Sequence, residues 1–168
     1  GTPITFTSTA TVGPATQIVV ITQPAATAVN EILLAQQPVV QVQDAGGNNV
    51  GPAGRTITAA LVSPPAGAAL NGDRTRQTDA NGQAVYIDLS IVGPVGSYTI
   101  QFTSPGLTPI VSTSISLSVG APNAGKSTVS ADPTTVAAGD PSTITVTAKD
   151  AGGNLLPGVN VTIAADGN

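Results

Sequence analysis

Asp44-Ala45-Gly46-Gly47-Asn48 recurs residue for residue as Asp150-Ala151-Gly152-Gly153-Asn154, 106 positions further along the chain. Each copy closes an alternating run, Val39-Val40-Gln41-Val42-Gln43 in the first case and Ile144-Thr145-Val146-Thr147-Ala148-Lys149 in the second. Alternation marks a strand with one face buried, and glycines supply the positive φ angles that a tight turn demands. A second match fixes the phase of the repeat. Ile4 to Val12 carries Thr at 5, 7, 9 and 11 and ends in Val12-Gly13, while Ser114 to Val119 alternates Ser with Ile115, Leu117 and Val119 and ends in Val119-Gly120, an offset of 107. Pro24 and Pro133 lie 109 apart. A period of about 100 residues is the size of one two-sheet sandwich and far exceeds the roughly 20 to 50 of solenoid repeats. Three pieces are therefore expected: the terminal strand of a preceding unit in 1–13 (the strand itself over 3–12), one complete unit at 14–119, and the first half of a following unit at 120–168.

The complete unit reads as short strands separated by turns. Thr16 to Thr22 is one, and Val39 to Gln43 another. Arg55 to Leu61 alternates and places Ile57, Ala59 and Leu61 on one face. Thr75 to Thr78 and Gln83 to Ile87 flank Asp79-Ala80-Asn81-Gly82, whose Asn-Gly predicts a hairpin between them. Tyr98, Ile100 and Phe102 share one face of the next strand, and Ile115, Leu117 and Val119 one face of the last. Seven or so antiparallel strands, each with one buried face, make a sandwich. Ala25 to Gln37 is ambiguous, because Ala25, Ala28, Ile32 and Ala35 have helical spacing. Pro24 and Pro38 bracket that segment and favour a strand that switches sheets over a single helical turn.

Composition supports an all-β chain and excludes several chemistries. With no Cys and no His among 168 residues there is no disulfide, no thiolate or imidazole metal site and no His-assisted nucleophile. Only Phe6, Tyr86, Tyr98 and Phe102 are aromatic, so a core must be filled by Val, Ile, Leu and Ala, residues set here among abundant Thr and Ser. Net charge is −4, and the five basic residues are scattered, so no nucleic acid partner is expected. No apolar run approaches the ~20 residues that span a bilayer. The amino end reads as alternating strand, not as a secretory leader, so any leader is expected to have been removed. A thiol-free, acidic, weakly charged chain suits the extracellular space.

Ser127-Thr128-Val129-Ser130-Ala131-Asp132-Pro133, the run from Ile144 to Asp150, Gly153-Asn154 and Pro157-Gly158-Val159-Asn160-Val161-Thr162 resemble the first half of a group 1 bacterial immunoglobulin-like repeat, as in the invasin and intimin adhesins. Gln41-Val42-Gln43-Asp44, Thr78-Asp79-Ala80-Asn81-Gly82 and Gly96-Ser97-Tyr98-Thr99 are similar, more loosely, to bacterial surface Ig-like repeats in general. The resemblance implies tandem antiparallel Ig-like β-sandwiches, one complete unit flanked by partial units, in an extracellular or cell-surface adhesin stalk. Its partners would be neighbouring Ig-like units, with any host receptor contacted by a module not present here. The alternative is a structural subunit of a filament, sheath or virion decoration, assembled when strand 3–12 and the half-unit pair with other chains. Gly96-Ser97-Tyr98 stands where a tyrosine corner would be, its hydroxyl bonded to nearby backbone.

One motif points elsewhere. Gly120-Ala121-Pro122-Asn123-Ala124-Gly125-Lys126-Ser127 fits the phosphate-binding loop pattern, which works only where the loop opens into a helix facing the anion. Here the Lys-Ser pair leads into a β-branched run stopped by Asp132-Pro133, so a linker between sandwiches is expected. Other candidates are weaker still. Asp44 and Asp150 are weak calcium ligands at a junction, since hard cations want oxygen donors, yet turn aspartates ordinarily bond their own backbone. Lys126 or Lys149 would need a buried acid neighbour to form an isopeptide bond to Asn. Asn160-Val161-Thr162 fits a glycosylation sequon placed on a strand. The acids fall almost all in turns and form no pair for glycoside chemistry. No catalytic residue and no cofactor is assigned, and no enzyme activity is expected.

Overall fold

The alternating runs become strands, and the turns between them decide which sheet each strand joins. The computed structural model describes residues 11–51 and 53–164 together with Gly1, Pro3, Ile4 and Thr7. Half of the strand expected over 3–12 therefore lies outside the described residues. Among the described residues there are fourteen strands and no helix. They are β1 (Gln17–Thr22), β2 (Thr27–Val29), β3 (Val39–Gln43), β4 (Thr56–Leu61), β5 (Ala69–Asn71), β6 (Thr75–Gln77) and β7 (Gln83–Val85). Then come β8 (Ser90–Val92), β9 (Gly96–Tyr98), β10 (Ile100–Thr103), β11 (Ile110–Val111), β12 (Ile115–Ser118), β13 (Thr128–Asp132) and β14 (Thr143–Thr147).

One layer is built on the antiparallel order β1-β3-β7, the other on β11-β10-β4-β6. A further ladder, β2-β12-β9, extends the second layer, since β9 runs on into β10 and β11 into β12. The segment after Pro24 changes layers. β1 pairs antiparallel with β3, with Ile18 opposite Val42, whereas β2 pairs in parallel with β12, with Ala28 opposite Leu117. Ala25–Gln37 is thus a sheet-switching strand and its following turn; of the four residues at helical spacing only Ala28 is buried, and Ile32 and Ala35 are exposed.

Between the layers the inward residues of each run interlock, as alternation requires. Ile57 and Ala59 of β4, Tyr98, Ile100 and Phe102, and Ile115 and Leu117 are all buried, facing Ile18, Val40, Val42, Ala84 and Tyr86 in one cluster. Tyr86 takes the role of an inter-sheet pin in this sulfur-free core. Its ring lies 5.5 Å from that of Phe102, and its hydroxyl donates to the Ile57 carbonyl at 3.1 Å across the sandwich. Fully burying one such large side chain contributes roughly 1.5–3 kcal/mol. Val119 departs from the expectation: β12 ends at Ser118 and Val119 is 43% exposed, because the chain is already leaving the sheet.

The Asn-Gly turn also behaves differently from the expected hairpin. β6 pairs with β4 and β7 with β3, so Asp79–Gly82 is a corner between layers. Locally its chemistry is that of a tight turn: Asp79 Oδ1 accepts from the Asn81 and Gln83 amides, and the Gly82 amide donates to the Asp79 carbonyl. What pulls the strands apart is Gln41, buried on β3, whose Nε2 donates to the Asn81 and Gly82 carbonyls at 2.9 and 3.2 Å. Beyond the linker, β13 and β14 form an antiparallel pair with Val129 opposite Val146. Val129 is 70% exposed, as among the described residues no second layer covers this pair.

Candidate functional site, a junction between repeats

The repeated turn proves to be a clamp on the linker that enters its own unit. After β3 the chain folds back at once, with Gln43 bridged to Asn49 and the Val50 amide bonded to the Val42 carbonyl. This small hairpin presents the Asp44 carboxylate to four N–H groups. Oδ1 accepts from the Gly46 and Asn48 amides at 2.9 Å, Oδ2 from the Gly13 amide at 2.9 Å, and Asn48 Nδ2 donates to both oxygens. Gly13 lies 31 residues earlier, in the linker. The second copy repeats the arrangement. Lys149 is bridged to Leu155, Asp150 Oδ2 accepts from the Gly120 amide at 2.9 Å, and Oδ1 accepts from the Asn154 amide at 2.9 Å. Asn154 Nδ2 again spans both oxygens.

Donors on a carboxylate favour its charged form. The Asn48 side chain, the Gly13 amide and the Asn48 amide hold Asp44 at about 2. Burial pushes Asp150 up, but the Gly120 amide and the Asn154 side chain outweigh it, leaving its pKa below the ordinary carboxylate range. The same donors compete with any cation for the carboxylate oxygens. A cation needs lone pairs, and here both oxygens of each carboxylate are aimed at by N–H groups. Among the described residues no three acidic side chains converge.

The second junction also reaches back to the preceding sandwich. Asn154 Nδ2 donates to the Gly93 carbonyl at 3.0 Å, and Asn154 Oδ1 accepts from the Val95 amide at 2.9 Å. The gripped loop is itself held from behind. Tyr98 donates its hydroxyl to the Pro94 carbonyl at 2.7 Å, the expected tyrosine corner, and Asn30 Nδ2 donates to the Gly93 carbonyl at 2.7 Å. Hydrogen bonds thus run continuously from Tyr98, through Pro94 and the loop, to Asn154, Asp150 and Gly120. Glycine at 152 is a steric requirement, since a Cβ there would stand 2.1 Å from the Gly93 carbonyl oxygen.

The phosphate-loop look-alike is the linker itself. Gly125 and Lys126 sit in a single turn in which the Lys126 and Ser127 amides donate to the Asn123 carbonyl, and β13 follows directly. The Ser127 hydroxyl, which would ligate magnesium in a real phosphate loop, donates to the Asn123 carbonyl at 2.8 Å and accepts from the Lys149 amide at 3.0 Å. Lys126 is exposed and Lys149 only half-buried. Asn160 is exposed and lies outside any strand, contrary to its expected placement. An open cleft of about 750 Å³ runs between the linker at 12–15 and residues 50–51 and 53–56; among the described residues Arg55 is its one charged wall residue.

The sequence pattern had singled out Asp44, Asp150 and Tyr98 but missed Gly13, Asn30, Asn154 and Gln41, whose partners are distant in sequence. The one available signal for Asn154 was the exactness of the pentapeptide repeat, including both Asn residues.

The immunoglobulin-like family model described as SMCHD1 Ig-like domain 6 matches residues 13–123. The chain belongs to the immunoglobulin-like domain family. Over 131 residues the Ig-like chain is 33% identical to the inverse autotransporter adhesin YeeJ of Escherichia coli K12, a match covering 67% of this chain and 6% of that protein. It therefore spans a small fraction of the curated relative's length. The solved structure of the Escherichia coli adhesin FdeC superposes with TM-score 0.52 at 21% identity, over 86% of this chain and 44% of the other, and shows the same fold. Invasin, a bacterial integrin-binding protein, is 26% identical over 82% of this chain and 27% of its own, with TM-score 0.47. The Ig-like units are thus similar in sequence to a bacterial adhesin and share the fold of another.

Proposed function

We propose that the chain is a segment of a non-enzymatic stalk in a bacterial surface adhesin, divided into a terminal strand within 1–13, a complete unit at 14–119 and a following unit that opens at 120. Its work is mechanical. It holds a distal receptor-binding module away from the cell, and neighbouring Ig-like units are its immediate partners. The observation that carries this reading is the Asp clamp on the linker amide, made at Gly13 by Asp44 and again at Gly120 by Asp150. A linker tied at each repeat sets successive units in a fixed relation, as a spacer requires and a freely hinged binding module does not. Similarity to YeeJ supports the same reading. Electron microscopy of the intact polypeptide on cells tests it. The expected image is a single-chain row of beads at constant spacing; lateral strand exchange between chains would instead establish a polymerising subunit.

A further inference from the structure

The two copies of the pentapeptide differ in one respect: one is covered and the other bare. Gly152 and Asn154 are half-buried against the Gly93–Val95 loop, whereas Gly46 and Asn48 are exposed. Among the described residues, glycine is far less strictly required at 46 than at 152. Its backbone is outside the left-handed region, which Gly47 occupies at φ 81°, and among the described residues a Cβ at 46 would meet its own turn, pressing on Asn48 Nδ2 at 3.1 Å and Asp44 Oδ1 at 3.4 Å. Its counterpart Gly152 must be glycine because another unit's carbonyl would lie 2.1 Å from a Cβ. Asn48 likewise already makes the contacts with Asp44 that aim Asn154 across the junction.

We propose that the bare turn Asp44–Asn48 is the receiving half of another junction, which docks the loop ahead of the tyrosine corner of a preceding Ig-like unit. Gly46 leaves room for that loop's first carbonyl, and Asn48 donates to this carbonyl while accepting from the amide two residues on, as Asn154 does with Gly93 and Val95. The occupant is an Ig-like unit of this architecture presenting a Gly-Pro-Val type loop. The inference rests on the stalk reading and adds to it a rigid, sequence-encoded coupling.

The test is a longer protein in which residues 1–119 are followed in phase by 13–168, so that Val119 of the first copy leads into Gly13 of the second. The complete unit supplies its own closed core, from Ile18 to Leu117. Amide exchange at the two Val95 positions, resolved by segmental labelling, is the readout. The second copy's Val95, bonded to Asn154, is the internal standard. First-copy Val95 is expected to be equally protected, and Gly46→Val in the second copy should speed its exchange about tenfold or more while the second-copy Val95 stays slow. Asn48→Ala should act in the same direction. A first-copy Val95 that exchanges freely in the unsubstituted protein, or one indifferent to both substitutions, overturns the proposal. Free exchange at both Val95 positions also overturns it, by removing its template. A single-chain row of beads at constant spacing in the microscope would leave the stalk reading intact in any of these cases.

Discussion

At the scale of the residue, Asp44 makes the structure sensitive to acid. Its carboxylate is held at about 2, below its ordinary value of about 3.9, by the Asn48 side chain and the Gly13 amide. A depressed native pKa adds stability above the unfolded value, and that stability is lost as pH falls through the folded one. Asp150 is shifted in the same direction and adds to the loss. The melting temperature should therefore be flat above about pH 4 and fall between about pH 4 and pH 2. Asp44→Asn should lower the melting temperature at neutral pH and make the acid fall shallower, since an amide offers one acceptor atom to donors that now face two. Thermal melts of both proteins across that range check this. A substituted chain with an unchanged acid profile would show that the Gly13 bond carries no stability. That Asp44 heads a turn was legible in the pentapeptide. That one of its donors comes from 31 residues upstream was not, because a linker amide leaves no mark in the side-chain pattern.

At the scale of the element, the runs of five and six residues were legible because alternation over that length specifies a face. β2, β5, β8 and β11, of two or three residues each, carry no period and are set by what they lie beside. The Asp79–Gly82 turn shows the limit from the other side. Its local signal was correct, and the pairing was decided elsewhere, by Gln41 and by the edge of β3 that Gln83–Val85 joins. Two glycines separate local strain from packing. Gly47 has φ 81° and open space around its missing Cβ, so Gly47→Ala should cost about 1 kcal/mol of backbone strain. Gly82 has φ 77° and a Cβ there would lie 2.1 Å from the Val50 carbonyl oxygen. Gly82→Ala should therefore cost about 3 kcal/mol or more, adding overpacking to strain. Urea unfolding of the two variants measures the difference; equal losses would mean that the corner opens freely and that Gln41 does not hold it.

At the scale of the whole molecule, the likeness of the two turns was legible because the pentapeptide is identical in both, and each bonds the linker amide ahead of it. The bond from Asn154 back to Gly93 was not, since contact between units depends on how the linker directs them. Every member of the buried apolar cluster falls between Ile18 and Leu117, and among the described residues nothing from 120 onward joins it. The link across the junction is instead polar: the Asn154 bonds to Gly93 and Val95, and the Asp150 bond to Gly120. The two neutral bonds contribute roughly 0.5–1.5 kcal/mol each and the carboxylate bond roughly 1.5–3 kcal/mol, little beside a core. A chain ending at Val119 should thus unfold in one cooperative transition, within a few degrees of the 168-residue protein. Residues 120–168 alone should show none, because a two-stranded pair with Val129 70% and Ile144 43% exposed has no second layer against which to bury them. Calorimetry of the three chains decides the matter. If removing 120–168 abolished the transition of the sandwich, the units would fold as one body, and the junction would have to be counted as core.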